Sequence, residues 1–201
     1  MPILLEEQLN YPLPQMHRVR QSFSRPRLED IEAHIKQEIT KKEISEKIKP
    51  GAKVAVAVGS RGIKNLAKIV KEVIGQIKEL GGEPFIISAM GSHGGGTPEG
   101  QREVLASYGI TEENIGVGIV TSVDVVRLGR TSGGIDVYFD SAALGADLIV
   151  PINRVKLHTD FVGDIQSGVC KMLVIGLGNH VGCTAVHEAD FDNYLSRTED
   201  N

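Results

Sequence analysis

Tryptophan is absent, aromatic residues make up 4% of the 201 positions, and cysteine occurs twice. Two cysteines cannot build a disulfide framework, so the fold must stand on an apolar core. No basic stretch followed by an apolar run opens the chain, so no secretory leader is read there. The longest apolar runs fall far short of the ~20 residues that a membrane-spanning helix requires. Charge of one sign is not in excess either. Lys and Arg number 22 against 26 Asp and Glu, a net charge of −4 that argues against a nucleic-acid binder. What remains is the expectation of a cytoplasmic globule, one large domain or two small ones, each able to bury a core. Glycine, by contrast, is plentiful at 23 residues, and its placement directs the reading.

Residues 1–27 hold Pro2, Pro12 and Pro14 and a basic cluster of His17, Arg18, Arg20, Arg25 and Arg27. No period holds there, which predicts an N-terminal arm ahead of a domain over 28–201; the basic cluster reads as a solvated face or a dock for a carboxylate. Ile31, Ile35 and Ile39 form a helical stripe that Ile44 and Ile48 extend, stopped by Pro50 and Gly51. The β-branched run 53–58 predicts a buried strand, and Leu66, Ile69, Val70, Val73, Ile74, Ile77 and Leu80 predict a helix ended by Gly81 and Gly82. Residues 84–88 predict the next strand. Strand, helix and strand at this spacing make a βαβ unit, so the sheet is expected to be largely parallel. A glycine loop, 89–96, then leads to Thr97 and Pro98, an N-cap and a first helical residue. Short strands, some antiparallel, are expected over 115–140, and another buried strand over 146–152. A fresh segment begins near Phe191 and ends in polar residues, which reads as a truncated protein or one lobe of a larger one.

In an open α/β sheet, ligands collect outside the carboxyl ends of the strands. The loops expected there carry Gly59, Ser60 and Arg61, then His93, then His158. Arg61 alone could equally be a surface ion-pair residue, and His158, near Lys156 and Asp160, a structural histidine. His93 is surrounded by glycines that bring little side chain to bury it and let backbone amides approach a ligand. The glycine motifs do not support a nucleotide triphosphate or dinucleotide site: 91–100 lacks the Gly-Lys-Ser/Thr ending, and 176–182 has Val181 where a third glycine belongs. The start of the Thr97 helix remains able to hold one phosphate or carboxylate. Cys170, His180, Cys183 and His187 offer a zinc ligand set in composition, but at a spacing that matches no common zinc module. Lys171, followed by Met172, Leu173, Val174 and Ile175, reads either as an amine pressed against apolar residues, which lowers its proton affinity, or as a lysine whose stem snorkels to water.

The runs GSHGGGTPEGQ and NRVKLHTDFVGDIQSGVCKMLVIGLGNH, with the later His187, resemble the N-terminal catalytic lobe of the nickel-pincer lactate racemase family. The likeness extends over essentially the whole chain, including the LPQMHRVRQSF opening of one subgroup. It implies a two-lobed α/β protein of about twice this length, with a mostly parallel Rossmann-like sheet flanked by helices in this lobe. It implies a nickel-pincer nucleotide cofactor (a pyridinium mononucleotide whose two thio-acid arms pinch nickel) attached to a lysine, and a 2-hydroxy acid substrate racemised by hydride and proton transfer. Carried over by motif, His93 and His158 match the two acid–base histidines, Lys171 the attachment lysine and His187 the nickel ligand. Gly59, Ser60 and Arg61 match the loop that contacts cofactor or substrate.

The chain departs from the lactate enzyme at Val58, where that enzyme carries aspartate, at Val169 and Cys170 ahead of the lysine, and in a longer segment between His158 and Lys171. His180 competes with His187 as the metal ligand. The reading is therefore a racemase or epimerase of a 2-hydroxy acid, working with a C-terminal lobe or as a homo-oligomer. Two rivals remain: a non-catalytic ligand-binding lobe of the same fold, and a zinc-dependent hydrolase using His158, His180 and His187.

Overall fold

The structure is a computed structural model that describes residues 15–24, 26–157 and 167–199. His158 and Arg25 lie outside the described residues. Residues 15–24 and 26–28 are exposed and carry no helix or strand.

The expected isoleucine stripe is divided between two helices. Asp30 opens α1 (Ile31–Ile39) by accepting the Ala33 N–H at 2.9 Å. At Thr40 the hydroxyl turns back to the Lys36 carbonyl at 2.7 Å, and the chain restarts as α2 (Lys42–Ser45). Lys41 leaves the helical conformation at ψ 139°, and beyond it Ile44 stays exposed while Ile48 reaches the core.

β1 (Lys53–Val58) leads through α3 (Leu66–Glu79) to β2 (Glu83–Ser88), and the two strands are parallel. β3 (Ile119–Val120) and β6 (Leu148–Ile152) complete a four-stranded parallel sheet in the order β3-β2-β1-β6. Among the described residues β6 has a strand on one side only, where Pro151 is tolerated despite its missing N–H. β4 (Val125–Arg130) and β5 (Asp136–Asp140) form a separate antiparallel hairpin. Short helices α5 (Glu112–Ile115) and α6 (Ser141–Leu144) lie ahead of β3 and β6, and α4 (Pro98–Ser107) follows the glycine loop. After β6 come α7 (Val169–Lys171), a π-helical turn (Met172–Gly176) and α8 (Asn179–Glu199). The residues near Phe191 thus continue a helix that starts at Asn179, rather than opening a fresh segment.

β1 is the central strand, and its alternation assigns the two layers. Val54, Val56 and Val58 face α3 and α4, packed with Val70, Ile74, Ile77, Ile86 and Leu105. Ala55 and Ala57 face the other way, with Ile87, Ala89, Met172 and Leu177. Residues 54–58 are fully buried, each valine worth about 1.5–3 kcal/mol of transfer free energy. The alanine face has a geometric consequence. Small side chains there let the 172–177 segment come down onto the sheet, and a Cβ on Gly176 would meet the Ala89 carbonyl oxygen at 2.8 Å. The Gly91 N–H donates to Gly176 O at 3.1 Å and the Asp140 N–H to Leu177 O at 2.6 Å, stitching this segment to the strand ends. Gly176 and Gly178 are therefore packing glycines: a Cβ on Gly178 would also crowd the Gly182 Cα at 3.1 Å.

Candidate functional site

The carboxyl ends of β1 and β2 are neighbours, so the loops that follow them share one rim. Gly59 sits between the Ala89 carbonyl and Met172, each 3.7 Å from where its Cβ would be. Ser60 comes next, and its carbonyl accepts the Tyr108 hydroxyl at 2.5 Å. The Ser60 Oγ is hydrogen-bonded to His93 Nδ1. Across the rim, Gly94, Gly95 and Gly96 take left-handed φ of 66°, 67° and 66° in succession, a run that L side chains disfavour. This tight turn carries the chain from His93 to Thr97, whose hydroxyl accepts the Gly100 N–H at 3.1 Å and caps α4. Replacing Thr97 by alanine is expected to cost about 1 kcal/mol, read as a lower midpoint in urea.

Beneath the loop, buried Gln101 ties it to β2. The Ser88 hydroxyl donates to Gln101 Oε1 at 2.6 Å, and Gln101 Nε2 donates to Gly91 O at 3.2 Å. Nothing in the local pattern marks Gln101, because its partners come from another element. Val58 is fully buried against the α3 layer and brings no carboxylate to the rim.

Partial loss of solvation holds the His93 pKa below the ordinary imidazole value, and the positive charges of Arg61 and then Lys171 push it the same way. Ser60 bonds the His93 ring, and Arg61 and Lys171 act on it through their charges, although the sequence separates Ser60 from Lys171 by most of the domain. In the run that follows Lys171, Met172 is buried, Leu173 is half-buried and Val174 is exposed.

His180 and His187 lie on α8, and they occupy different environments. His180 stands against the glycine loop, with its Cβ 3.6 Å from where a Gly96 Cβ would be. It also lines a cavity of about 550 Å³ between the β4–β5 hairpin and α8, beside Tyr138, Thr184 and Glu188. The His187 Nδ1 lies 2.6 Å from the Cys183 carbonyl. A carbonyl only accepts, so Nδ1 carries the hydrogen and the ring's lone pair belongs to Nε2 in the neutral form. The Cys183 thiol lies 3.6 Å from the same Nδ1 and 3.8 Å from the Ser92 hydroxyl. Among the described residues no three of His, Cys, Asp or Glu gather closely enough to hold a metal ion, so Cys170, His180, Cys183 and His187 do not assemble a zinc site. Behind α8, buried Asp140 accepts the Asn179 amide at 2.8 Å and the Ala143 N–H at 2.8 Å. Burial pushes the Asp140 carboxyl up, against these bonds. The Asn179 Oδ1 is buried with no partner among the described residues.

Among the described residues no single helix is long and apolar enough to cross a membrane. Neither the curated proteins nor the solved structures contain a match to the chain. The family comparison does: a family model described as the lactate racemase N-terminal domain matches residues 9–198. That span takes in the β1 loop, whose Ser60 bonds His93 of the glycine loop, and the Lys171 segment, whose Met172 lies beside Gly59. The chain therefore belongs to the lactate racemase N-terminal domain family.

Proposed function

We propose that the chain is the cofactor-bearing, proton-transferring lobe of a racemase or epimerase acting on a 2-hydroxy acid. The observation that carries this reading is the Ser60–His93 contact at the carboxyl end of the parallel sheet, with the charges of Arg61 and Lys171 acting on the same ring.

The residues suit a metal brought in on an organic carrier. Such a carrier supplies its own sulfur donors, so one imidazole and one amine suffice where a bare ion would need a cluster of protein ligands. Lys171 would hold the nickel-pincer nucleotide through its amine, and His187 would ligate the metal through Nε2. When bound, that group supplies a hydride acceptor for the substrate's 2-carbon. Arg61 binds the substrate carboxylate, for which a guanidinium offers two parallel donors. His93 takes the proton of the 2-hydroxyl at Nε2 and returns it, a role that its depressed pKa suits because the base form prevails at neutral pH. His158 serves as the second proton-transfer group in this reading. A second lobe or a second copy closes the site over the substrate and excludes water.

The test is expression together with the cofactor-making enzymes, followed by peptide mass spectrometry and metal analysis. A nucleotide-sized adduct on Lys171 is expected, absent in Lys171→Ala. Nickel should fall in His187→Ala and persist in Cys183→Ser. An unmodified Lys171 under cofactor-replete expression overturns the proposal.

A further inference from the structure

We propose that Ser60 is the positioning residue for His93: its hydroxyl accepts the Nδ1–H, fixes the ring, and leaves Nε2 as the nitrogen that exchanges protons with the substrate. The inference rests on the proton-transfer role given to His93 above, and it concerns a contact that motif matching does not supply.

Both sides of the contact are held by their own backbones. On the β1 side, the Tyr108 hydroxyl donates to the Ser60 carbonyl at 2.5 Å, and the Ala89 N–H donates to Val58 O at 2.9 Å. On the β2 side, the His93 N–H donates to Met90 O at 3.1 Å and its carbonyl accepts the Gly96 N–H at 3.2 Å. The Ser60 Oγ and His93 Nδ1 then meet across the rim.

The direction of the bond follows from what the histidine must do. If the hydroxyl donated to Nδ1, the neutral ring would carry its hydrogen on Nε2 and have no lone pair there to take a proton. That arrangement would also break on protonation, because both nitrogens of an imidazolium donate. With Nδ1–H donating to Ser60 Oγ, the same bond serves the neutral base and the protonated acid alike. The partner's neutrality matters as well. A carboxylate at Nδ1 would stabilise the imidazolium and raise the pKa. A hydroxyl lacks that charge, and the charged groups that act on His93 are the cations Arg61 and Lys171. Ser60 thus orients the ring without adding the negative charge that would hold it in the acid form.

Long-range proton–nitrogen NMR on the nitrogen-15-labelled chain reads the tautomer directly, with the His93 signals assigned by their loss in His93→Asn. Above its pKa, wild-type His93 is expected to show a protonated Nδ1 and an unprotonated Nε2. Ser60→Ala is expected to shift the ring toward the Nε2–H form that free imidazole side chains prefer, and Ser60→Thr to keep the wild-type pattern. The same tautomer pattern in wild type and Ser60→Ala overturns the proposal. In the cofactor-loaded protein with its second lobe, Ser60→Ala should lower kcat by about tenfold at little change in KM, a small part of the roughly 10²–10⁴-fold that a positioned proton-transfer group contributes. Ser60→Thr should restore most of that loss. Equal kcat in wild type and Ser60→Ala overturns the catalytic use of the contact. Turnover absent from the wild type instead overturns the racemase reading, and the tautomer measurement still decides whether Ser60 holds the ring.

Discussion

Exchanging His93 for asparagine should cut turnover of the cofactor-loaded protein by about 10²–10⁴-fold, with the Lys171 adduct and nickel content unchanged. Asparagine keeps a polar side chain at the rim but has no nitrogen that titrates near neutrality. The pH dependence distinguishes this from general damage. Desolvation first, then the Arg61 charge, lower the His93 pKa whether or not the Lys171 amine carries the cofactor, from an ordinary value of about 6.5 for an imidazole. The acid limb of the rate profile is therefore expected below that pH, and turnover at pH 7 should already be near its plateau. Stability carries the same sign. The folded chain binds the His93 proton more weakly than the unfolded chain, so the contribution is fully present above the ordinary imidazole value. It is lost as the pH falls through the folded pKa. In His93→Asn that acid-side loss should be smaller. Chiral chromatography of 2-hydroxy acids against pH reads the first effect and urea midpoints against pH read the second. A variant that racemises within threefold of wild type removes His93 from the proton-transfer role.

Much of the scaffold was legible because it depends on short periods. The β1–α3–β2 unit follows from a β-branched run, a helical stripe and glycine stops, all within one stretch of sequence. Thr97 and Pro98 announce α4 in the same local way. The break after Thr40 was not legible, since the isoleucine stripe continues through it while the backbone turns extended at Lys41, ψ 139°. The long run of α8 was hidden as well. Asn179 begins it at φ 51°, and the turn is held by Asp140, which the sequence places on a distant element.

The site divides along the same line. Strand ends predict where Ser60, Arg61 and His93 lie, because the rule follows from sheet topology. That Ser60 bonds His93, that Gln101 braces the glycine loop and that His180 stands against Gly96 are long-range matters. No period in the chain records them. The alanine face of β1 did carry a signal, since KVAVAV alternates large and small. A strand buried on both faces, with only small residues on one of them, marks the side where another segment approaches closely. Here that segment brings Lys171.

The adjacent glycines Gly94 and Gly95 should respond very differently to the same substitution. Both have left-handed backbones, φ 66° and 67°, so alanine at either place costs about 1–2 kcal/mol. Around Gly95 nothing lies within 4 Å of an added Cβ, and the cost ends there. At Gly94 the Cβ would stand 2.7 Å from the Gln101 nitrogen and 2.7 Å from the Gly100 carbonyl carbon. Those atoms belong to the first turn of α4 and cannot swing aside like the tip of a side chain, so overpacking adds about 1–3 kcal/mol. Gly94→Ala is therefore expected to lower the urea midpoint clearly more than Gly95→Ala. It should also disturb the site, because relief of the clash must move the turn that starts at His93 or the helix that Gln101 anchors. The Nδ1–H signature of His93 should persist in Gly95→Ala and weaken in Gly94→Ala. Equal midpoints and equal tautomer patterns in the two variants would mean that the loop yields freely, and that His93 owes its position to something other than the packing of Gly94 against α4.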